Sequence, residues 1–79
     1  MSNSSAENEA LRRYTFARDR YNAASWLRGK KVRWILRGET ENLKPNVDDS
    51  VAYWEAAKIR ELAETDPWVA ERLARVLES

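Results

Sequence analysis

Any chemistry in this chain must come from carboxylates, arginines and aromatic rings, because the sequence holds no Cys and no His. Disulfides and zinc–thiolate sites are therefore excluded, and the commonest general acid/base and metal ligand is missing. A carboxylate pair is the remaining route to acid–base catalysis. Asp48 and Asp49 are the only adjacent pair, and a helix N-terminus accounts for them better, as capping residues. Glu39 and Glu41 sit in a polar connection, and Gly29 and Gly38 stand apart and form no phosphate loop. These residues predict a chain that is not an enzyme and that uses no cofactor and no metal.

Charge carries more information than catalytic residue types do. The net charge of +1 hides a segregation. Residues 12–37 hold nine basic residues and one acid, a segment charge of +8, whereas residues 38–79 carry −5. Seven of the nine are Arg, whose planar fork suits carboxylates and phosphates and whose face stacks on rings. Arg28, Lys30, Lys31, Arg33 and Arg37 crowd into ten positions, interleaved with Val32 and Trp34. Three uses compete. The charges can pair across the bundle or face water. They can grip a phosphate backbone, with Trp26 or Trp34 stacking a base. Or the basic face can dock an acidic protein, or the acidic half a basic one.

Trp54 is a second candidate. It lies off the Ala52/Ala56/Ile59 stripe of its own segment, so it either covers the end of the core or stands out as a binding anchor. Phe16 likewise points away from Tyr14 and Ala17, in company with Arg20 and Ala23. It is core if the first helix is sandwiched between partners, and a second sticky face if not.

Elements must position these residues. Residues 1–4 read as a disordered tail and 5–79 as one helical domain, with Ser5 as N-cap. Ala10, Tyr14, Ala17, Tyr21 and Ala24 recur at spacings of 4, 3, 4 and 3, a heptad stripe down a long helix reaching about Arg28. Such a seam packs within the chain or against a second copy. About 24 residues at 1.5 Å span roughly 36 Å, more than so small a bundle needs. Residues 31–37 alternate like a strand, but no second strand exists to pair with it. A second helix over 23–37, continuing the first or kinked at Gly29, is preferred. Gly38 suits its C-terminus, and Pro45 disfavours helix at Lys44. Asp48 or Asp49 then caps a helix to about Glu64, with Ala52, Ala56, Ile59 and Leu62/Ala63 inward. Asp66-Pro67 opens the last helix as N-cap and first residue, and its apolar face is Val69, Leu73, Val76 and Leu77.

The fold class expected is all-α, a small bundle of three to four helices with a long first helix; the alternative is α+β with a short strand near 31–37. A helix-turn-helix over 56–76 is not expected. Its turn lacks Gly, and Arg72 and Arg75 are countered by Glu71 and Glu78. No apolar run approaches the roughly 20 residues that span a bilayer, and the first residues lack a secretion signal's apolar stretch, so a cytoplasmic place is expected. In size and character the chain resembles small accessory proteins of phages or other mobile elements, though no motif carries that resemblance. The function expected is a non-enzymatic regulatory or inhibitory module acting through protein contacts, with a protein partner or a second copy as ligand. Its expected binding residues are Arg28, Lys30, Lys31, Arg33, Trp34, Arg37 and Trp54, and its self-association seam is Ala10, Tyr14, Ala17, Tyr21 and Ala24. The alternative is a small nucleic-acid-binding protein using residues 28–37.

Overall fold

Val32, Ile35 and Leu36 are all buried, and their spacing of three and four is the phase of a helix, not of a strand. The computed structural model, which describes residues 3–43 and 47–79, accordingly holds no strand among those residues. It contains α1 (Asn3–Trp26), α2 (Lys30–Arg37), α3 (Val47–Thr65) and α4 (Pro67–Glu78). The strand alternative for 31–37 is thus replaced by α2. Alternation with charged residues arises there because the basic side chains of α2 flank a narrow apolar face.

Helix boundaries follow local signals, with three adjustments. α1 begins at Asn3, so Asn3 and Ser4 are helical instead of belonging to a tail, and Ser5 lies inside the first turn. The expected helix over 23–37, continuing the first or kinked at Gly29, is interrupted at that glycine: α1 stops at Trp26, Leu27-Arg28 form a turn and α2 starts at Lys30. Gly29 N-caps α2 in extended conformation and donates its N–H to Trp26 O at 2.9 Å. A Cβ on Gly29 would lie 3.2 Å from that same oxygen, which is why the turn closes most easily on glycine. Third, α3 starts at Val47, and Asp49 is a buried ion-pair partner of Lys31. The Lys44–Pro45 break and the Asp48 side chain lie outside the described residues.

Two boundaries match their signals closely. Gly38 ends α2 in the left-handed region at φ 80° and ψ 15°, and its N–H bonds Ile35 O. Asp66 caps α4 by accepting from Trp68 N–H at 3.0 Å, and Pro67 occupies the first turn.

α3 packs against α1, α2 and α4. Its buried stripe is Ala52, Ala56 and Ile59, as its spacing predicts, with Leu62 and Ala63 half-buried beyond. Ile59 and Val69 are fully enclosed, and Leu27, Val32, Ile35 and Leu36 complete the core. α1 joins this core only through its C-terminal part, where Ala23 is buried, and Leu27 in the turn that follows is buried as well. Residues 4–18 are exposed apart from half-buried Glu9. Extents of 55 × 28 × 17 Å reflect that projecting arm.

Arginines close three helix C-termini, where carbonyls lack intrahelical partners and the dipole end is negative. Arg33 donates to Leu27 O and Arg28 O after α1. Arg60 donates to Ile35 O near the end of α2 at 3.3 Å. Arg37 donates to Val76 O at 2.8 Å and to Ser79 Oγ at 2.7 Å at the end of α4. Much of the basic character of residues 28–37 therefore serves the fold.

Candidate protein-docking face

Tyr14 lies nine residues before Ala23, about 180° around the helix at 3.6 residues per turn. Since Ala23 faces the core, Tyr14 must face away from it. It is 63% exposed, and Tyr21, one heptad later, is 72% exposed although the bundle flanks it. Ala10 and Ala17 are exposed as well, and Ala24 is half-buried. The whole Ala10–Tyr14–Ala17–Tyr21–Ala24 seam thus runs along the outer side of α1. Apart from half-buried Ala24, its residues are exposed. Leu11, 62% exposed, extends this surface as the i−3 neighbour of Tyr14; the heptad pattern did not single it out because it sits beside the seam.

Arginines border the seam on both sides. Arg13 and Arg20 flank it on one edge, each a helical neighbour of Ala17 at a distance of four or three residues. Arg18 stands on the other edge, four residues after Tyr14, and exposed Arg28 follows Ala24 beyond the helix end. Arg13 reaches Glu9 at 3.2 Å and Arg18 reaches Asp19 at 3.3 Å, but these are water-exposed contacts that hold their guanidinium groups weakly.

Arg20 is held differently. Its Nε and Nη2 bond the two carboxylate oxygens of Asp66 at 2.9 and 3.0 Å. The guanidinium also lies 4.1 Å from the Phe16 ring centroid and 5.3 Å from that of Trp68. The bond from Arg20 holds the Asp66 carboxyl below the usual carboxylate range against the opposing effect of burial, helped by the N–H groups of Trp68 and Val69. Arg20 is raised in turn, chiefly by its bond to Asp66. Phe16, 46% exposed, is therefore the outer cover of this ion pair, between core and free surface.

The predicted basic binding stretch is not brought together as one patch. Lys31 pairs with buried Asp49 at 2.7 Å. Arg33 and Arg37 are engaged with the helix-end carbonyls described above. Arg28 and Lys30 remain exposed, and Lys30 Nζ sits 5.0 Å over the half-buried Trp34 ring. The α2 N-terminus beside them has no side-chain cap bond and no acid in its first turn.

Trp54 stands on another side of the molecule, 53% exposed, its ring edge-on to Trp26 with centroids 5.4 Å apart. The two indoles border a cleft of about 440 Å³ that also touches Arg18, Asn22 and Lys58. Lys58 lies 5.9 Å over Trp54 and 3.6 Å from Glu61, so the cleft mixes both charge signs. Burial raises the Glu55 carboxyl above its ordinary value beside the start of α2.

Among the described residues, no group of three or more Asp or Glu is placed to hold a metal ion. No helix among them is long and apolar enough to cross a membrane. No family model matches the chain, and neither a curated protein nor a solved structure matches it.

Proposed function

We propose that this chain is a small, non-enzymatic regulatory or inhibitory module that docks another protein along the outer face of α1. The observation that carries this reading is the exposure of Tyr14 and Tyr21 on one side of the longest helix, with Ala10 and Ala17 between and beside them. Tyr offers large apolar area with few rotatable bonds, and small neighbours let a second helix approach closely. Water contact on such a seam is a cost that a partner helix removes.

The test is to pan a displayed library of helical peptides against the full chain and against two variants. Binding should be lost with Tyr14→Ser/Tyr21→Ser and kept with Arg28→Gln/Lys30→Gln. The reverse pattern would contradict the reading.

A second reading, nucleic-acid binding, is favoured by one observation: exposed Arg28 and Lys30 beside the N-terminus of α2, which has no side-chain cap bond. With Lys31, Arg33 and Arg37 engaged inside the fold, this site offers two cations. The slope of log affinity against log salt on duplex DNA would then be roughly −2, not the −4 to −5 of a five-cation patch.

A further inference from the structure

We infer that the occupant of the outer α1 face is an acidic amphipathic helix from another protein and not a second copy of this chain; the inference rests on the docking reading above. The seam alone does not choose between these occupants, because Tyr and Ala accept either. The flanking charges do choose. With Tyr14 and Tyr21 at one seam position and Ala10, Ala17 and Ala24 at the other, the flanks are Arg13 and Arg20 on one side and Leu11, Arg18 and Ser25 on the other. Flanking residues decide pairing in helix–helix seams, since they meet across the interface.

In a parallel pair of α1 helices, Arg13 would meet Arg18 of the second copy. In an antiparallel pair with each Tyr against an Ala, Arg13 would meet Arg20 of the second copy, whose charge Asp66 already offsets. Neither arrangement brings an acid to Arg13 or Arg18, and the parallel one sets like charges together at the edge of a desolvated seam, which disfavours that partner. Glu9 and Asp19, on the bundle side of α1, touch Arg13 and Arg18 only through water-exposed contacts, which leaves both guanidinium groups open to a partner. A partner helix with Glu or Asp on both flanks would instead meet Arg13 on one side and Arg18 on the other. Its seam would carry larger residues against Ala10 and Ala17 and small ones against Tyr14 and Tyr21.

The test uses the full chain and two synthetic four-heptad peptides with the same Leu/Ala seam, one with Glu on every flank and one with Lys. Affinities are read by fluorescence anisotropy at 50 and 500 mM salt, with light scattering on the chain alone. The Glu peptide should bind at least tenfold more tightly than the Lys peptide at 50 mM, and its advantage should shrink at 500 mM as charges are screened. Arg13→Glu/Arg18→Glu, two exposed positions, should invert the preference while circular dichroism shows the helix content unchanged. Equal affinity, a preference for the Lys peptide, or no binding of either would overturn the inference. So would a dimer of the free chain that dissociates on Tyr14→Ser/Tyr21→Ser. Library binders that depend on Tyr14 and Tyr21 but carry no acidic flanks would leave the docking face standing and remove only the acidic partner.

Discussion

The guanidinium of Arg20 meets the carboxylate of Asp66 through two parallel hydrogen bonds of 2.9 and 3.0 Å, and this pair ties α1 to the first turn of α4. Asp66 also caps α4, so one buried carboxylate serves two helices. Its pKa is held down in the folded chain, chiefly by Arg20. A group with a depressed folded value stabilises the fold above its unfolded pKa, and that contribution is lost as pH falls through the folded value. Asp66→Asn keeps a capping side chain but loses the charge pair. It should lower Tm at pH 7, and the gap from the parent chain should close below the usual carboxylate range. A gap independent of pH would contradict this role. Arg20→Met keeps a flexible apolar stem beside Phe16 and Trp68 but strands a buried charge, so it should lower Tm at pH 7 as well.

Residues 4–18 of α1 lack burial, so their helix rests on local propensity and on exposed pairs such as Glu9 with Arg12 and Arg13. Local opening there should be cheap. Hydrogen exchange should show amides of residues 8–16 exchanging far faster than those around Ile59, and deletion of residues 1–13 should shift Tm by only a few degrees. Uniform protection along α1 would mean that the arm is covered in the free chain.

The basic residues of α2 should divide into two groups under substitution. Arg33→Gln and Arg37→Gln remove bonds to helix-end carbonyls and should each cost about 1 kcal/mol in urea unfolding. Arg28→Gln and Lys30→Gln touch exposed side chains and should stay within about 0.5 kcal/mol of the parent. Equal costs at all four positions would refute the division.

These outcomes mark what was legible in the sequence. Asp66-Pro67, Gly38 and the Ala52/Ala56/Ile59 stripe were readable because each signal is local: a cap, a left-handed residue and a helical period. The Tyr14/Tyr21 seam was readable as a seam, but its side was not. A heptad reports that a helix has an apolar face and is silent on whether the partner belongs to the same chain. Its outward position emerges only when Ala23 and Leu27, on the other side, are seen to enter the core. Arg33, Arg37 and Arg60 were opaque for another reason. Their acceptors are backbone carbonyls, 39 residues away for Arg37 and 25 for Arg60, and carbonyls leave no trace in residue types. A cluster that looked like a ligand patch by composition therefore contains two helix-end locks, Arg33 and Arg37, one ion pair of Lys31 with Asp49, and two exposed cations, Arg28 and Lys30.

The docking face itself is tested most directly by residue-resolved amide shifts of the full, isotopically labelled chain during titration with a peptide selected from the helical library. The account predicts shifts concentrated on residues 10–24 of α1, with Tyr14, Ala17 and Tyr21 among the largest and the α2 stretch nearly still. Shifts concentrated on residues 28–37 or around Trp54, with the α1 arm unmoved, would contradict it.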